Sequence, residues 1–202
     1  MSHDTGIHPM IIMENFILKI ENALSDDLCD LCLDHYDDKI AQCFDDDNNH
    51  VKASEMTIVD QFVMGKLSQS LFQIAKTYMD KFYTFECQYD SGISLRKIFG
   101  ATGEHCDGVV SSTPTPTGKT AERVSSLIIA LNSDYEEGVF SFPLQGCQTR
   151  LERGQAILFP PFWTHPHGVS APVNGFRYTL NTWLVREMRL PRPFISSETH
   201  ES

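Results

Sequence analysis

Long apolar runs are missing from this sequence. No stretch approaches the roughly eighteen consecutive apolar residues that a membrane-spanning helix needs. The first residues also lack a basic segment followed by a long hydrophobic one, which is the pattern of a secretory signal. These absences predict a soluble, intracellular protein that works in the cytoplasm and has no membrane partner.

Basic residues are scarce. Lys and Arg number 16 against 27 Asp and Glu, which gives a formal net charge of −11 at pH 7. A protein that binds nucleic acid needs a basic surface to neutralise the phosphates, and this chain offers little for one. We therefore expect no nucleic-acid partner and favour a small molecule, or a neutral or basic peptide, as the ligand.

A disulfide framework is also absent. The chain has 202 residues, of which 41% are hydrophobic, so it can bury a core without cross-links. Its six cysteines lack the spacing of disulfide-rich secreted domains, and we expect reduced thiols. Cys29 and Cys32 form a C-x-x-C pair, but no second Cys or His pair accompanies it to complete a zinc site. The sequence shows no internal repeat, and we expect one domain over residues 1–202.

The hydrophobic pattern divides this domain into two main parts. Residues 14–83 are expected to hold a strand and supporting helices, and residues 84–186 a β-rich core, between a poorly ordered start (1–13) and a tail (187–202). Ser25, followed by two aspartates, signals a helix that runs to about Tyr36. Apolar residues at three- and four-residue steps predict a second helix from about Asp60 to Tyr83.

Beyond the second helix, short runs rich in branched and aromatic residues predict strands. The predicted strands are 85–90, 94–99, 105–109, 123–132, 138–142, 148–150, 156–159, 167–170 and 176–185, in addition to 16–20 near the start. So many short strands are typical of a closed or double-sheet jelly roll. Residues 111–120 are rich in Ser, Thr and Pro and predict a mobile loop, which is either a lid over the site or plain surface.

The strongest chemical signal is a pair of ligand-type residues with partners about sixty residues downstream. His105 and Asp107 lie two apart, so on a strand both side chains would point to one face. Two histidines and one carboxylate on one side of a metal leave the opposite side open, as in non-haem Fe(II) oxygenases. Strand periodicity alone does not choose between His165 and His167 as the second histidine. Arg177 would then be a fixed positive charge for a carboxylate.

These residues, in this order, resemble the prolyl 4-hydroxylase branch of the Fe(II)/2-oxoglutarate-dependent dioxygenases. The resemblance covers roughly residues 84–186, and its matching segments are 105–107, 131–132, 137–138, 142–143, 154–160, 166–169, Arg177 and Trp183. It implies a mostly β fold with flanking N-terminal helices and a double-stranded β-helix core, of the jelly-roll or cupin-like type.

The resemblance also implies a site. His105, Asp107 and His167 would be the metal ligands and catalytic residues, with His165 a neighbour that lines the pocket. Arg177 would bind the far carboxylate of 2-oxoglutarate. The family often adds a tyrosine on the strand after the lid, but residues 127–131 have none, so Thr179 is named as the second donor. The implied cofactors are Fe(II), 2-oxoglutarate and O2, with ascorbate as a further reductant.

Three functions remain open. The first is hydroxylation of an unactivated C–H bond in a prolyl residue of a peptide or protein, with Trp163, Tyr135 and Phe140 as candidates for an apolar groove around the prolyl ring. The second is the same reaction on a free amino acid or another small molecule. The third is a non-enzymatic jelly-roll binding module. The sequence does not indicate the oligomeric state.

Overall fold

A computed structural model describes residues 11–36, 43–44, 51–82, 86–109 and 114–188 of the chain. Two helices and fourteen strands occupy this part of the chain. In order they are β1 (Ile11–Glu14), β2 (Ile17–Ile20), α1 (Asp26–Tyr36), β3 (Cys43–Phe44), β4 (Val51–Thr57), α2 (Gln61–Lys81), β5 (Tyr89–Asp90), β6 (Ser94–His105), β7 (Ala121–Ala130), β8 (Glu136–Glu137), β9 (Phe140–Phe142), β10 (Cys147–Thr149), β11 (Ala156–Phe159), β12 (His167–Val169), β13 (Pro172–Val173) and β14 (Arg177–Glu187).

Twelve of these strands form one curled antiparallel sheet in the order β1-β2-β11-β7-β14-β6-β12-β9-β10. The short strands β3, β4 and β5 attach at its side, and β8 and β13 form a separate pair. Strand β6 organises the region of the site, because its first half pairs with β14 and its second half with β12. The fold is mostly β with a double-stranded β-helix core, as predicted.

The sheet is buried on both faces, and β11 shows why. All four of its side chains are buried. Ala156 and Leu158 join the apolar cluster that includes α1 and α2, whereas Ile157 and Phe159 join an inner cluster with Phe140 and others. Successive side chains on a strand point to opposite faces, so the helices cover the outer face and the inner cluster fills part of the curled interior.

The two helices confirm their sequence signals. Helix α1 follows Ser25, whose carbonyl accepts from the N–H groups of Leu28 and Cys29. Helix α2 starts after Asp60, whose side chain accepts from the N–H groups of Phe62 and Val63 and so caps the helix. The apolar residues that predict this helix are Leu67, Leu71, Ile74, Tyr78 and Phe82, and all of them are buried except Leu71, which is partly buried. Neither helix is long and apolar enough to cross a bilayer.

Several predicted boundaries were wrong. Residues 11–13, assigned to an unordered start, form part of β1 and pair with β2. The predicted strand 105–109 does not exist, because β6 continues through 94–105 and ends at His105. Strand β4 has a mixed sequence and no clear alternation, and it was not predicted. Of the predicted loop 111–120, residues 111–113 lie outside the described residues, and Thr117 and Lys119 bind Glu187 of β14.

Candidate metal and dicarboxylate site

His105 and His167 are direct cross-strand partners in the register of β6 and β12. Their ring centroids are 4.5 Å apart, and both rings border one cavity of about 220 Å³. Each Nδ1 lies beside a backbone carbonyl, at 2.8 Å from Gly103 O for His105 and 3.2 Å from His165 O for His167. A carbonyl can only accept, so each Nδ1 carries a proton and donates it. With Nδ1 turned to the backbone, each ring has its Nε2 atom on the side of Asp107, where it could bind a metal.

Asp107 reaches the same point from a loop. Its Oδ1 lies 3.2 Å from His105 Nε2 and 3.9 Å from His167 Nε2. The loop that carries it is fixed by the Gly108 N–H, which donates to Pro161 O at 2.9 Å. The two-residue spacing therefore places both side chains in the cavity, although Asp107 does not lie on a strand.

The second carboxylate oxygen of Asp107 is held by the protein. The Ser126 hydroxyl and Trp183 Nε1 both donate to Oδ2, the latter at 3.2 Å. Arg123 donates to the Asp107 carbonyl, and its guanidinium carbon lies 3.7 Å from the centroid of the Trp183 ring. Neither Ser126 nor Arg123 was singled out from the sequence. These contacts turn Oδ1 toward the histidines.

The electrostatics of the three residues suit a cation. Burial alone would raise the pKa of Asp107, but hydrogen bonds from His105, Ser126 and Trp183 and the charge of His167 hold it well below its usual range. The hydrogen bond to Asp107 raises the pKa of His105, whereas burial lowers the pKa of His167. The donor atoms of the three side chains lie within 4.8 Å of one another. Such a donor set fits one metal ion with an open side.

His165 does not belong to this group. It lies before β12, its side chain is 5% exposed, and its Nε2 is 2.9 Å from Asn15 O. Its Nδ1 lies 2.9 Å from the Thr164 hydroxyl, so both ring nitrogens have protein partners. The expectation that His165 lines the pocket was wrong, because the ring turns away toward the segment between β1 and β2.

Arg177 borders the same cavity with an uncompensated charge. Its side chain is 3% exposed, no described carboxylate forms an ion pair with it, and its Nε has no hydrogen-bond partner in the described part of the chain. Its guanidinium carbon lies 5.3 Å from the centroid of the Phe140 ring. Burial lowers the pKa of Arg177 to about 10, which still leaves it charged at neutral pH. A buried charge without a partner is costly, so this geometry points to an anionic ligand.

Asn132 fixes the strand on which Arg177 lies. Its Nδ2 donates to the Phe176 carbonyl at 2.8 Å, and its Oδ1 accepts from the Tyr178 N–H at 2.8 Å. These two bonds flank Arg177 and tie the start of β14 to the end of β7. Asn132 belongs to the family-like segment 131–132, and that segment was the one sequence signal for this role.

A second cation, Arg96, also borders the cavity. Its Nε binds Glu55 at 2.7 Å, and its charge adds to burial in lowering the pKa of Arg177. The other predicted residues fall in different places. The Thr179 side chain is fully buried, and its hydroxyl donates to Asn181 Oδ1 at 2.6 Å. Trp163 is 78% exposed and is not part of the cavity wall.

The aromatic groove expected from Trp163, Tyr135 and Phe140 is therefore not assembled. Phe140 is fully buried and borders the cavity, and Tyr135 is 5% exposed and packs beside Arg177. The arrangement has two poles, a cluster of metal-type donors and a buried cation. A small molecule with one chelating end and one carboxylate end would bridge them.

Comparison with solved structures finds the same fold in prolyl hydroxylases. The viral collagen prolyl hydroxylase vCPH from Paramecium Bursaria Chlorella virus-1, solved with 2OG, aligns with a TM-score of 0.66 at 15% identity, over 86% of this chain and 97% of that one. A Pseudomonas putida prolyl-4-hydroxylase aligns with a TM-score of 0.65 at 12% identity, over 86% and 93%.

A Trichoplax adhaerens prolyl hydroxylase, solved with a peptide of a hypoxia inducible factor oxygen degradation domain, aligns with a TM-score of 0.61 at 15% identity, over 84% of this chain and 83% of that one. No protein-family model and no curated protein matches the sequence. The sequence resemblance is thus confirmed at the level of the fold, and this chain has the fold of the prolyl hydroxylases.

Proposed function

We propose that this chain is an Fe(II)- and 2-oxoglutarate-dependent dioxygenase that hydroxylates a prolyl residue in a peptide or protein. One observation carries the proposal: a His105–Asp107–His167 cluster and a buried, unpaired Arg177 share one cavity. A binding module without enzymatic activity would not need both the cluster and the buried arginine, because burying charged groups without a ligand lowers the stability of the fold.

Different residues of the cavity would bind the iron and the co-substrate. The Nε2 atoms of His105 and His167 and the Oδ1 of Asp107 would hold Fe(II), and Arg177 would hold the far carboxylate of 2-oxoglutarate by paired N–H donors. Ser126 and Trp183 orient the carboxylate of Asp107. When bound, the iron, 2-oxoglutarate and O2 supply the oxidising chemistry that places one oxygen atom on an unactivated carbon. Thr179 as a contact to 2-oxoglutarate and ascorbate as a reductant stay predictions.

The choice of a prolyl substrate is supported by the structural neighbours, which are named prolyl hydroxylases, one of them in complex with a peptide. The test is a mass-spectrometric screen of proline-containing peptides against free amino acids, with purified protein, Fe(II), 2-oxoglutarate and O2. We expect a gain of one oxygen on a peptide, with one succinate released for each hydroxylation. If only a free amino acid gains an oxygen, the substrate is a small molecule and not a peptide. If the protein does not bind 2-oxoglutarate, the proposal that it is a 2-oxoglutarate-dependent enzyme is refuted.

A further inference from the structure

A second pocket lies on the other face of the sheet, between α2 and the strands β5, β7 and β14. Its volume is about 230 Å³, which is similar to that of the cavity bordered by His105 and His167. Leu71, the one apolar stripe residue of α2 that is only partly buried, borders it. We call it the outer pocket, and its wall is mostly apolar, with Met64, Leu71, Phe72 and Met79 of α2 facing Leu127 and Leu184 of the sheet.

Several polar groups at the outer pocket are already used within the protein. The Thr182 hydroxyl lies 3.5 Å from that of Ser91, and the Cys87 thiol donates to Met79 Sδ at 3.5 Å. Burial raises the pKa of Cys87, so the thiol stays neutral. Asp90 is the one charged side chain on the described part of the wall, and its Oδ1 accepts from a backbone N–H. The wall therefore suits an uncharged, apolar molecule.

The side chains of the wall favour an aromatic ligand. Met64 and Met79 are flexible thioethers, which adapt to a guest and make favourable contacts with aromatic rings. Phe72 is 61% exposed, so its ring is available to stack on a ligand. An apolar cavity of about 150 Å³ can bind benzene, so about 230 Å³ accommodates one ring or two fused rings. A helix of a partner protein, about 10 Å across, would not fit.

The sheet side of the outer pocket lies one residue away from the support of Asp107. Leu127 and Thr182 are cross-strand partners on β7 and β14, and both also border the metal cavity. The next pair in the same register is Ser126 and Trp183, which donate to Asp107 Oδ2 from the other face. Because the two pairs are adjacent along both strands, a ligand that shifts the first pair also shifts the second.

Ser91 joins another wall of the pocket to the same strand. It follows β5, in which Asp90 pairs with Leu184 of β14. Its N–H donates to the Trp183 carbonyl at 3.0 Å, and its hydroxyl accepts from the Trp183 N–H at 3.1 Å. The backbone of Trp183 is therefore held by the segment that borders the outer pocket, while its indole holds Asp107.

We propose that the outer pocket binds a small, uncharged aromatic molecule, and that this ligand tightens Fe(II) binding by packing behind the strand pair that holds Asp107. The binding itself goes beyond the proposed function, and its effect on Fe(II) rests on that function. The ligand adds contacts to the outer side of Leu127 and Thr182 and so restricts the movement of their strands. Linkage requires the ligand and Fe(II) to raise each other's affinity by the same factor.

The first measurement is the binding of 5-fluoroindole to the full chain without metal, followed by fluorine NMR. Ser68→Leu and Ala75→Leu place a larger side chain at the pocket and should each weaken the probe by about tenfold or more. Ser68 is exposed, so its replacement leaves the core intact. Ser70→Leu is the matched control, because it makes the same change on α2 at a position that does not border the outer pocket.

The second measurement is the Fe(II) affinity, by anaerobic titration with and without saturating 5-fluoroindole. The probe should tighten Fe(II) by about five- to tenfold in the wild type and in Ser70→Leu, at the low end of typical couplings between sites. It should have no effect in Ser68→Leu. Ser126→Ala should bind the probe normally but lose most of the effect, because one of the two hydrogen bonds to Asp107 Oδ2 is gone.

The outcomes separate this inference from the proposed function. If the wild type does not bind 5-fluoroindole, or if Ser68→Leu and Ala75→Leu bind it as the wild type does, the site is refuted. That result is expected if residues 83–85 or 189–202, which lie outside the described part of the chain, fill the pocket. Probe binding without a change in Fe(II) affinity would refute the coupling.

A further control concerns the metal itself. If the wild type does not bind Fe(II), the proposed function fails, whereas loss of the probe in Ser68→Leu would still support the outer pocket as a binding site. An undiminished effect of the probe in Ser126→Ala would overturn the route through Asp107. Melting temperatures of the variants show that each is folded.

Discussion

His105 and His167 face each other across neighbouring antiparallel strands, at a register position where their side chains share one face of the sheet. This relationship brings together two residues that are sixty-two positions apart in the chain. It also decides between the two downstream histidines, because His165 lies before the strand and bonds to Asn15 instead.

The first prediction separates these histidines. His167→Ala should abolish Fe(II) binding, because it removes one of the three donors. His165→Ala should keep Fe(II) binding near the wild-type level and lower the free energy of unfolding by about 1 to 2 kcal/mol, since it breaks the hydrogen bond to Asn15. Anaerobic Fe(II) titration and urea unfolding measure the two effects. Iron binding that survives in His167→Ala but not in His165→Ala would refute the assignment.

The second prediction concerns the affinity for 2-oxoglutarate. Breaking a buried charge pair by removing one partner typically costs about 3 to 5 kcal/mol, so Arg177→Ala should weaken 2-oxoglutarate by about two to three orders of magnitude. Fe(II) binding should not change. Arg177→Lys should recover only part of the affinity, because a lysine lacks the planar fork. Normal 2-oxoglutarate binding by Arg177→Ala, in calorimetry of the anaerobic Fe(II) protein, would mean that the arginine is structural.

The third prediction concerns the stability of the ligand-free protein. Burial lowers the pKa of Arg177 to about 10, below its unfolded value, so in this state the charged side chain opposes folding at neutral pH. Arg177→Met removes the charge and keeps most of the volume, and it should raise the free energy of unfolding by about 1 to 3 kcal/mol. Thermal scans without 2-oxoglutarate should show a higher melting temperature than the wild type. Adding 2-oxoglutarate should stabilise only the wild type, and a melting temperature lowered by the substitution would contradict this account.

The fourth prediction uses two glycines with nearly the same backbone conformation. Gly138 has φ +68° and Gly146 has φ +65°, so alanine at either position pays a similar backbone cost. Only at Gly138 would the new methyl group press on Tyr135, at 2.6 Å, whereas at Gly146 it meets open space. Gly138→Ala should therefore be more destabilising in urea by about 1 to 3 kcal/mol and should also weaken 2-oxoglutarate. Equal effects of the two substitutions would show that the contact is easily relieved.

The fifth prediction concerns the support of Asp107. Ser126→Ala removes one donor to its Oδ2 and should weaken Fe(II) by about ten- to a hundredfold, the range seen when such outer contacts of a metal site are lost. Ser125→Ala is the control, because that hydroxyl is equally buried but donates to the carbonyls of Ser126 and Phe159. Competitive titration with a chelator measures the Fe(II) affinity of both variants. A loss in Ser125→Ala as large as in Ser126→Ala would assign the effect to packing.

Local patterns predicted those parts of the fold that depend on local chemistry. Helix α1 follows its capping serine, and β11 coincides with a continuous apolar run between Gln155 and Pro160. Strand β4 was missed because apolar and polar residues do not alternate clearly in its sequence. It forms because it pairs with β6, and not because its own residues favour a strand. Long-range pairing of this kind is not visible in a short window of sequence.

Of the site residues, too, some were predictable from local sequence and others were not. His105 and Asp107 were found from their spacing, although the reason given was wrong, since Asp107 lies in a loop that Gly108 and Pro161 fix. Tyr135 was named only as an apolar candidate. The position of its ring depends on contacts with Arg150 and Gly138, and although Gly138 belongs to the matching segment 137–138, neither residue's contact with Tyr135 is visible in the sequence.

The hydrogen bonds from Ser126 and Trp183 to Oδ2 of Asp107 affect how many oxygens this carboxylate can offer to a metal. With Oδ2 held by two donors, the carboxylate would present Oδ1 to a metal and would bind it through one atom. Together with His105 and His167, Asp107 would then supply donors on one side of the metal only, and the other side would stay open to the co-substrate and O2. Without these two hydrogen bonds the carboxylate could bind through both oxygens, so Ser126 and Trp183 would preserve the open side of the site.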